Sequence, residues 1–190
     1  MPTTDDAVSQ VLALYAEDGH RDYVGESVSQ LEHAAQTADC ALGEGHRDDV
    51  VCAAFLHDVG HLCNRDAERM GKWGAVGHEV LGARYLRELG FSERIAQLVE
   101  GHVAAKRYLC FKTPEYHDRL SPASRATLRH QGGPMSVEEA RAFEANPLFS
   151  LILEMRTWDE AAKVPGQPVD LASYEAVLRR YWEDAHGADD

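Results

Sequence analysis

An all-α helical bundle is the fold class this sequence predicts, on three observations. Apolar residues recur three and four positions apart in segment after segment, and candidate caps and stop signals bracket those segments at helical lengths. No stretch alternates apolar and polar residues convincingly enough for a sheet. The 190 residues are 44% hydrophobic, enough to close one core, and no break in composition marks a second unit, so residues 1–190 are expected to form one domain.

Taken in order, Thr4-Asp5-Asp6 reads as a cap with acidic first-turn residues, opening a helix that carries Val8, Val11, Leu12 and Tyr15 to Asp18-Gly19. After a loop over Asp22-Tyr23-Val24-Gly25, a second helix carries Val28, Leu31, His33 and Ala35 to about Leu42-Gly43. Asp48-Asp49 starts a third, VVCAAFLHDVGH, whose near-continuous apolar character marks burial on most sides, with Gly60 ending its tight part near His61. Residues 64–77 read as a loop and His78 to Leu89 as an amphipathic helix with Gly90 at C′; Ser92 caps a helix ending at His102. Residues 110–135 are polar and broken by Pro114, Pro122 and Gly132-Gly133-Pro134, with one short helix from Ser121 to His130. Asn146-Pro147, a cap followed by proline at the first helical position, opens a helix to about Lys163, and the last runs from Asp170 to about Trp182.

Charge narrows the function. With 19 basic and 32 acidic residues the net charge is −13, which argues against nucleic acid as a partner, and any anionic substrate must be met by local positive charge. Cys40, Cys52, Cys63 and Cys110 show no C-x-x-C spacing, and the start MPTTDDAV lacks the basic and apolar regions of a signal peptide, so a reduced, cytoplasmic protein is expected. No apolar run approaches the roughly 20 residues of a membrane helix, so no membrane partner is expected either.

The chemistry lies in an ordered set of imidazoles and carboxylates: His33, the pair His57-Asp58, His61, His78, His102 and Asp159. Adjacent residues on a helix point about 100° apart, so His57 and Asp58 reach one ion only at the seam between their directions, where a carboxylate can also bridge to a second ion. Asp58 is the natural bridge. His61, four residues after His57 and near the same face, stands as ligand, proton carrier or substrate contact. Singly, His78 or His102 is an ordinary surface or capping residue; beside a His-Asp pair inside AAFLHDVGH, where two titratable groups are costly to bury alone, both read as ligands. His20, His46, His117, His130 and His186 lie in polar loops or at termini and are expected in solvent.

The stretches DYVGESVSQLEH, AAFLHDVGHLCN, GFSERIAQLVEGHVAAKRYL, LSPASRATLRHQGGPM and RTWDEAAKVPG, covering most of residues 22–166, resemble the HD-domain mixed-valent di-iron oxygenases typified by myo-inositol oxygenase, and most closely their organophosphonate-cleaving branch. The resemblance implies an HD-domain helical bundle with a dinuclear site in its core. His33, His57, Asp58 and Asp159 would hold one iron and Asp58, His78 and His102 the other, as an Fe(II)/Fe(III) pair with O2 as co-substrate. It implies further that Tyr23 fills the open position before substrate arrives, partnered by Glu26. The activity implied is oxidative cleavage of the C–P bond of a small phosphonate, either (1-hydroxy-2-aminoethyl)phosphonate, giving glycine and phosphate, or its trimethylammonio counterpart, giving glycine betaine and phosphate. An upstream 2-oxoglutarate-dependent hydroxylase would make the 1-hydroxy substrate.

A phosphonate in so acidic a protein needs focused counter-charge. Lys106, with Arg107, just past His102, and Arg156, three residues before Asp159, are placed to give it. Arg156 and Asp159 also share a helix face, as a plain ion pair would. Ser124 and Thr127 would add hydroxyl donors, His61 would hydrogen-bond the substrate's hydroxyl or phosphonate, and Glu26 would neutralise its cationic end. A trimethylammonio head favours aromatic faces, which Tyr23 and Trp73 could supply. Val76-Gly77, where glycine-forming relatives carry bulkier residues, would widen that end, so the trimethylammonio substrate is expected. The competing class is a metal-dependent phosphohydrolase with nearly the same ligands, set apart by needing no O2. A non-catalytic metal-binding regulator would leave His61, Lys106 and Arg156 without a task.

Overall fold

The computed structural model describes residues 4–23, 25–64 and 66–187, without the side chains of residues 4, 5 and 72; the cap expected at Thr4-Asp5 and the loop residue Val24 therefore lie outside the described part. Among the described residues all regular structure is helical, and β pairing is confined to two isolated bridges, Asp22 with Ser29 and Arg69 with Ala75.

The centre is α3 (Asp48–Leu56), in which every residue from Val50 to Leu56 is buried. Helices α2 (Gln30–Gly43), α5 (Glu93–Lys112), α9 (Phe149–Ala161) and α10 (Leu171–His186) pack around it. α1 (Thr4–Asp18) lies on α10, and α4 (His78–Leu89) lies along α5. One apolar cluster joins these elements, from Val8 and Tyr15 through Phe55, Leu86, Ile95 and Leu98 to Met155 and Trp182. Truncating Phe55, which is 1% exposed, would remove about 3–5 kcal/mol of stability. No helix among the described residues is long and apolar enough to cross a membrane.

Several boundaries differ from expectation. α2 starts at Gln30 rather than before Val28, because Ser29 accepts from the Glu32 amide and Glu32 returns a bond to the Ser29 amide, a capping box that leaves Val28 buried in the loop. α5 does not end at His102 but runs to Lys112: Ala104, Ala105 and Leu109 continue good helix-forming sequence until Thr113, which the ring of Pro114 holds in an extended conformation.

The short helix expected from Ser121 to His130 is present as α7 (Pro122–His130), and a second one, α6 (Pro114–Arg119), was not expected. Pro114 opens α6 and Pro122 opens α7, each at a position whose missing N–H would be unpaired anyway. A second capping box, Ser136 with Glu139, opens the unanticipated α8 (Val137–Glu144). α9 begins at Phe149 rather than at Pro147, although Asn146 Oδ1 still accepts from the Leu148 amide at 2.8 Å, and α10 extends past Trp182 to His186. His46, expected in solvent, is half-buried, edge-on to Trp158 with 4.9 Å between ring centroids.

Candidate active site

α3 stops one residue short of His57-Asp58, so the pair sits in a turn and not within a helix as its apolar setting suggested. His57 Nδ1 faces the Ala54 carbonyl at 2.7 Å and competes for the acceptor that helix propagation would use. Asp58 then adopts φ −105°, ψ 11°, and the chain continues as a 3-10 turn over Val59–His61. Gly60 lets this turn meet the start of α4: a Cβ there would lie 1.8 Å from the His78 carbonyl oxygen. Sequence separation is thereby converted into a cluster. His33 comes from α2, His78 from the first turn of α4, His102 from the middle of α5 and Asp159 from α9, all buried.

Asp58 has two faces. Its Oδ2 lies 3.3 Å from His57 Nε2 and 3.7 Å from His33 Nε2, while its Oδ1 lies 3.2 Å from His78 Nε2 and 3.4 Å from His102 Nε2. Asp159 Oδ1 adds a carboxylate 3.4 Å from His33 Nε2.

The tautomers test whether these residues fit a metal. His33 and His57 point Nδ1 at the carbonyls of Ala162 and Ala54, at 2.8 and 2.7 Å, so those nitrogens carry the hydrogens and each neutral ring presents a lone pair at Nε2. The two Nε2 atoms are only 3.1 Å apart. Facing lone pairs beside carboxylate oxygens need a cation between them, and the buried Oδ1 atoms of Asp58 and Asp159 have no hydrogen-bond partner. On the other side, His102 gives Nδ1 to Val99 O at 2.6 Å and turns Nε2 to that of His78 at 3.0 Å. The carboxylates draw positive charge to the same place: burial lowers His57, yet Asp58 brings it up to about 9, so a proton would take the position at Nε2 that a metal ion takes when bound, and against the same burial His57, His102 and His78 hold the Asp58 carboxyl well below its usual range. The donors, imidazole nitrogen with bridging and terminal carboxylates, fit one transition-metal ion on each face of Asp58.

His61 differs in kind. The Ala75 amide donates to its Nδ1 at 3.1 Å, leaving the hydrogen on Nε2, which lies 4.0 Å from Asp58 Oδ1. Burial and the neighbouring His78 keep this ring neutral. This tautomer makes His61 a hydrogen-bond donor, while its place beside Asp58 and His78 is also within reach of a metal ion shared with them.

A narrow cavity, part of it open to solvent, lies against the cluster; Tyr23, Glu26, His61, Lys106, Ser124, Thr127 and Arg156 all line it. Tyr23 stacks on His33 at 3.8 Å, with its phenol pushed up by burial and then by Asp58 and Asp159. Lys106 donates to Thr127 Oγ1 at 3.0 Å, and burial followed by Arg156 lowers its ammonium to about 7. Its neighbour Arg107 turns away, to Gly133 and Glu139.

Arg156, expected as an anion clamp, lines the cavity and is also tied to carboxylates. Its Nη1 donates to Asp159 Oδ2 and its Nε to the Tyr116 hydroxyl at 2.9 Å, with Glu160 completing the set. It orients a candidate ligand, and of its nitrogens Nη2 is buried without a hydrogen bond. The expected head-group aromatics also change. Trp73 is not among the lining residues, its ring lying against Gly25 with Cζ3 at 2.7 Å from a Cβ built there, and Val76 is 40% exposed and does not line the cavity.

Two lining residues were missed. Gln131 has both amide atoms buried without a partner, and Lys163 pairs with Glu26 at 2.9 Å. The string AAKVPG held the signal for Lys163: a cation one turn past Asp159, just before a proline-glycine turn.

A buried cluster of imidazoles and carboxylates, built from four helices around a His-Asp turn, defines a helical metalloprotein, and the chain belongs to the HD-domain family, whose model matches residues 27–172. It is 42% identical over 146 residues, 76% of this chain and 74% of the relative, to [1-hydroxy-2-(trimethylamino)ethyl]phosphonate dioxygenase (glycine-betaine-forming) of Leisingera caerulea. It is 36% identical over 179 residues, 93% of this chain and 88% of the relative, to hydroxymethylphosphonate dioxygenase of Gimesia maris. An uncharacterized protein of Acanthamoeba polyphaga mimivirus is 43% identical over 169 residues, 88% of this chain and 77% of that protein.

Proposed function

We propose that this chain, acting as one unit over residues 1–190, is a non-haem iron oxygenase that uses O2 to split the C–P bond of a 1-hydroxyphosphonate and release phosphate. The observation that carries this reading is Asp58 with an imidazole pair at each carboxylate oxygen, beside a cavity that holds a buried lysine. His33, His57, Asp58 and Asp159 would hold one iron and Asp58, His78 and His102 the other. The irons would supply the O2 and redox chemistry.

The chain's own residues do the rest. Lys106, with the hydroxyls of Thr127 and Ser124, neutralises and orients the phosphonate. His61, donating from Nε2, meets the C1 hydroxyl or a phosphonate oxygen. Tyr23 covers the cluster in the free protein and moves aside as substrate enters. The hydroxyl at C1 has to be installed beforehand, which fits a 2-oxoglutarate-dependent hydroxylase upstream. The four free cysteines suit a reducing compartment such as the cytoplasm.

The relative from Leisingera caerulea supports a trimethylammonio head group. A second reading, a head without positive charge, is favoured by one observation: Glu26 already carries a cation, Lys163. The test is to incubate iron-loaded protein under O2 with hydroxymethylphosphonate and with the amino and trimethylammonio compounds, following phosphate, O2 uptake and the EPR signal of a coupled Fe(II)/Fe(III) pair. Phosphate release in step with O2 uptake is expected. No release from the phosphonates, together with hydrolysis of a phosphate monoester on manganese or magnesium without O2, would assign the chain to the phosphohydrolases instead.

A further inference from the structure

The head end of the cavity is built from three segments. Glu26 comes from the loop before α2, Ser121 from the N-cap of α7 and Lys163 from the turn after α9. Glu26 Oε1 accepts from the Ser121 hydroxyl at 2.6 Å and from Lys163 Nζ at 2.9 Å. Both charged side chains are largely enclosed, at 17% exposure for Glu26 and 20% for Lys163. The cavity's charges sort accordingly: Asp58 and Asp159 face the histidines, Arg156 is paired to Asp159, Lys163 to Glu26, and Lys106 has a hydroxyl for its partner rather than a carboxylate. Among the described lining residues, Lys106 is thus the cation with no carboxylate partner, and Glu26, the carboxylate at this end, already has its charge balanced by Lys163.

Glu26 meets both donors through Oε1, so a positively charged head would have to share its single negative charge with Lys163 or displace the lysine. For an ammonium this exchanges one N–H donor for another. For a trimethylammonium it is a loss, because that group has no N–H to offer and leaves the displaced lysine to find a new partner in an enclosed site. Aromatic faces could compensate, yet Tyr23 is the one phenyl-bearing side chain in the lining.

We propose that Lys163 is a specificity-determining residue: its ammonium holds the place at Glu26 that a substrate cation would take, so the cavity selects short 1-hydroxyphosphonates whose carbon chain carries no positive charge. This rests on the phosphonate reading above and specifies its substrate class.

The experiment measures binding by anaerobic calorimetry on iron-loaded protein, with hydroxymethylphosphonate and the trimethylammonio compound as probes, and then phosphate release on admitting O2. Wild type should bind hydroxymethylphosphonate at least tenfold tighter. Lys163→Met, which frees Glu26, should lower that preference at least tenfold, and Lys163→Arg should restore it, which a merely structural role would not do. Equal or tighter binding of the trimethylammonio compound by wild type, or an unchanged ratio in Lys163→Met with the protein folded and iron-loaded, overturns the proposal. Should Lys163→Met fail to fold, wild type and Lys163→Arg still decide it, since both must prefer the uncharged head. Selective binding without O2-dependent phosphate would refute the oxygenase reading alone, and no binding of either probe would refute both.

Discussion

Gly60 and His78 meet backbone to backbone: a Cβ on Gly60 would fall 1.8 Å from the His78 carbonyl oxygen, and the same Cβ would also crowd the Gly82 amide at 2.8 Å. The turn that carries Asp58 and the helix that carries His78 are therefore docked through a residue with no side chain. Gly60→Ala should push α4 away, lower stability by about 1–3 kcal/mol as an overpacked contact does, and reduce metal on the His78–His102 side. Metal analysis with thermal unfolding checks this; a variant with full metal content would show that the contact yields.

On the two-iron reading proposed above, Asp58→Ala should lose both metals, because each carboxylate oxygen serves a different pair of imidazoles. His102→Ala should retain the metal held by His33, His57 and Asp159 better than the other. Metal quantification on both variants is decisive, and equal losses would dissolve the division into two sites.

Arg156→Ala should act on the metal before it acts on substrate. Its guanidinium, 3% exposed, is bound to Asp159, and removing one member of a buried pair leaves an uncompensated charge, with about 3–5 kcal/mol at stake. Lys106→Ala should keep its metals and instead weaken phosphonate binding by roughly 2–5 kcal/mol. Calorimetry with metal counts separates the two, and the opposite pattern would restore Arg156 as the anion clamp.

The ammonium of Lys106, lowered by burial and then by Arg156 from 10.5 to about 7, makes stability and binding respond to pH in opposite directions. Between pH 7 and 10.5 the unfolded chain holds this proton and the folded one does not, so the burial penalty, fully present below 7, is relieved as pH rises. Phosphonate affinity should fall over the same rise as the charge is lost. Lys106→Arg, charged throughout, should flatten the affinity profile; denaturant midpoints and dissociation constants at pH 6, 8 and 9 measure both.

How far the sequence could be read depended on the range of the interaction. Apolar periodicity placed α1 and α4 well, and the starts of α3 and α10, because a buried stripe is written within a single helix. The two capping boxes, Ser29 with Glu32 and Ser136 with Glu139, were equally local, and their S-x-x-E pattern was overlooked. The short helix from Ser121 to His130 matches α7, whereas Pro114, read as a break, begins α6. The ligand types were visible in the chain; the turn at His57-Asp58 was not, since it depends on a side chain bonding its own backbone. Lys163 with Glu26, 137 positions apart, and Arg107 turned to Gly133 are tertiary choices that no local pattern specifies.

His33 hands its Nδ1 hydrogen to the carbonyl of Ala162, and the next residue is Lys163. One peptide unit thus joins an imidazole of the metal cluster to the lysine at the far end of the cavity. Whatever shifts Lys163 pulls on the acceptor that orients His33, so substrate occupancy and metal affinity become linked quantities, each altering the other by the same factor. Metal affinity measured with and without a saturating phosphonate should differ in wild type, and Lys163→Met should shrink that difference; a linkage unchanged by the substitution would mean the peptide unit transmits nothing.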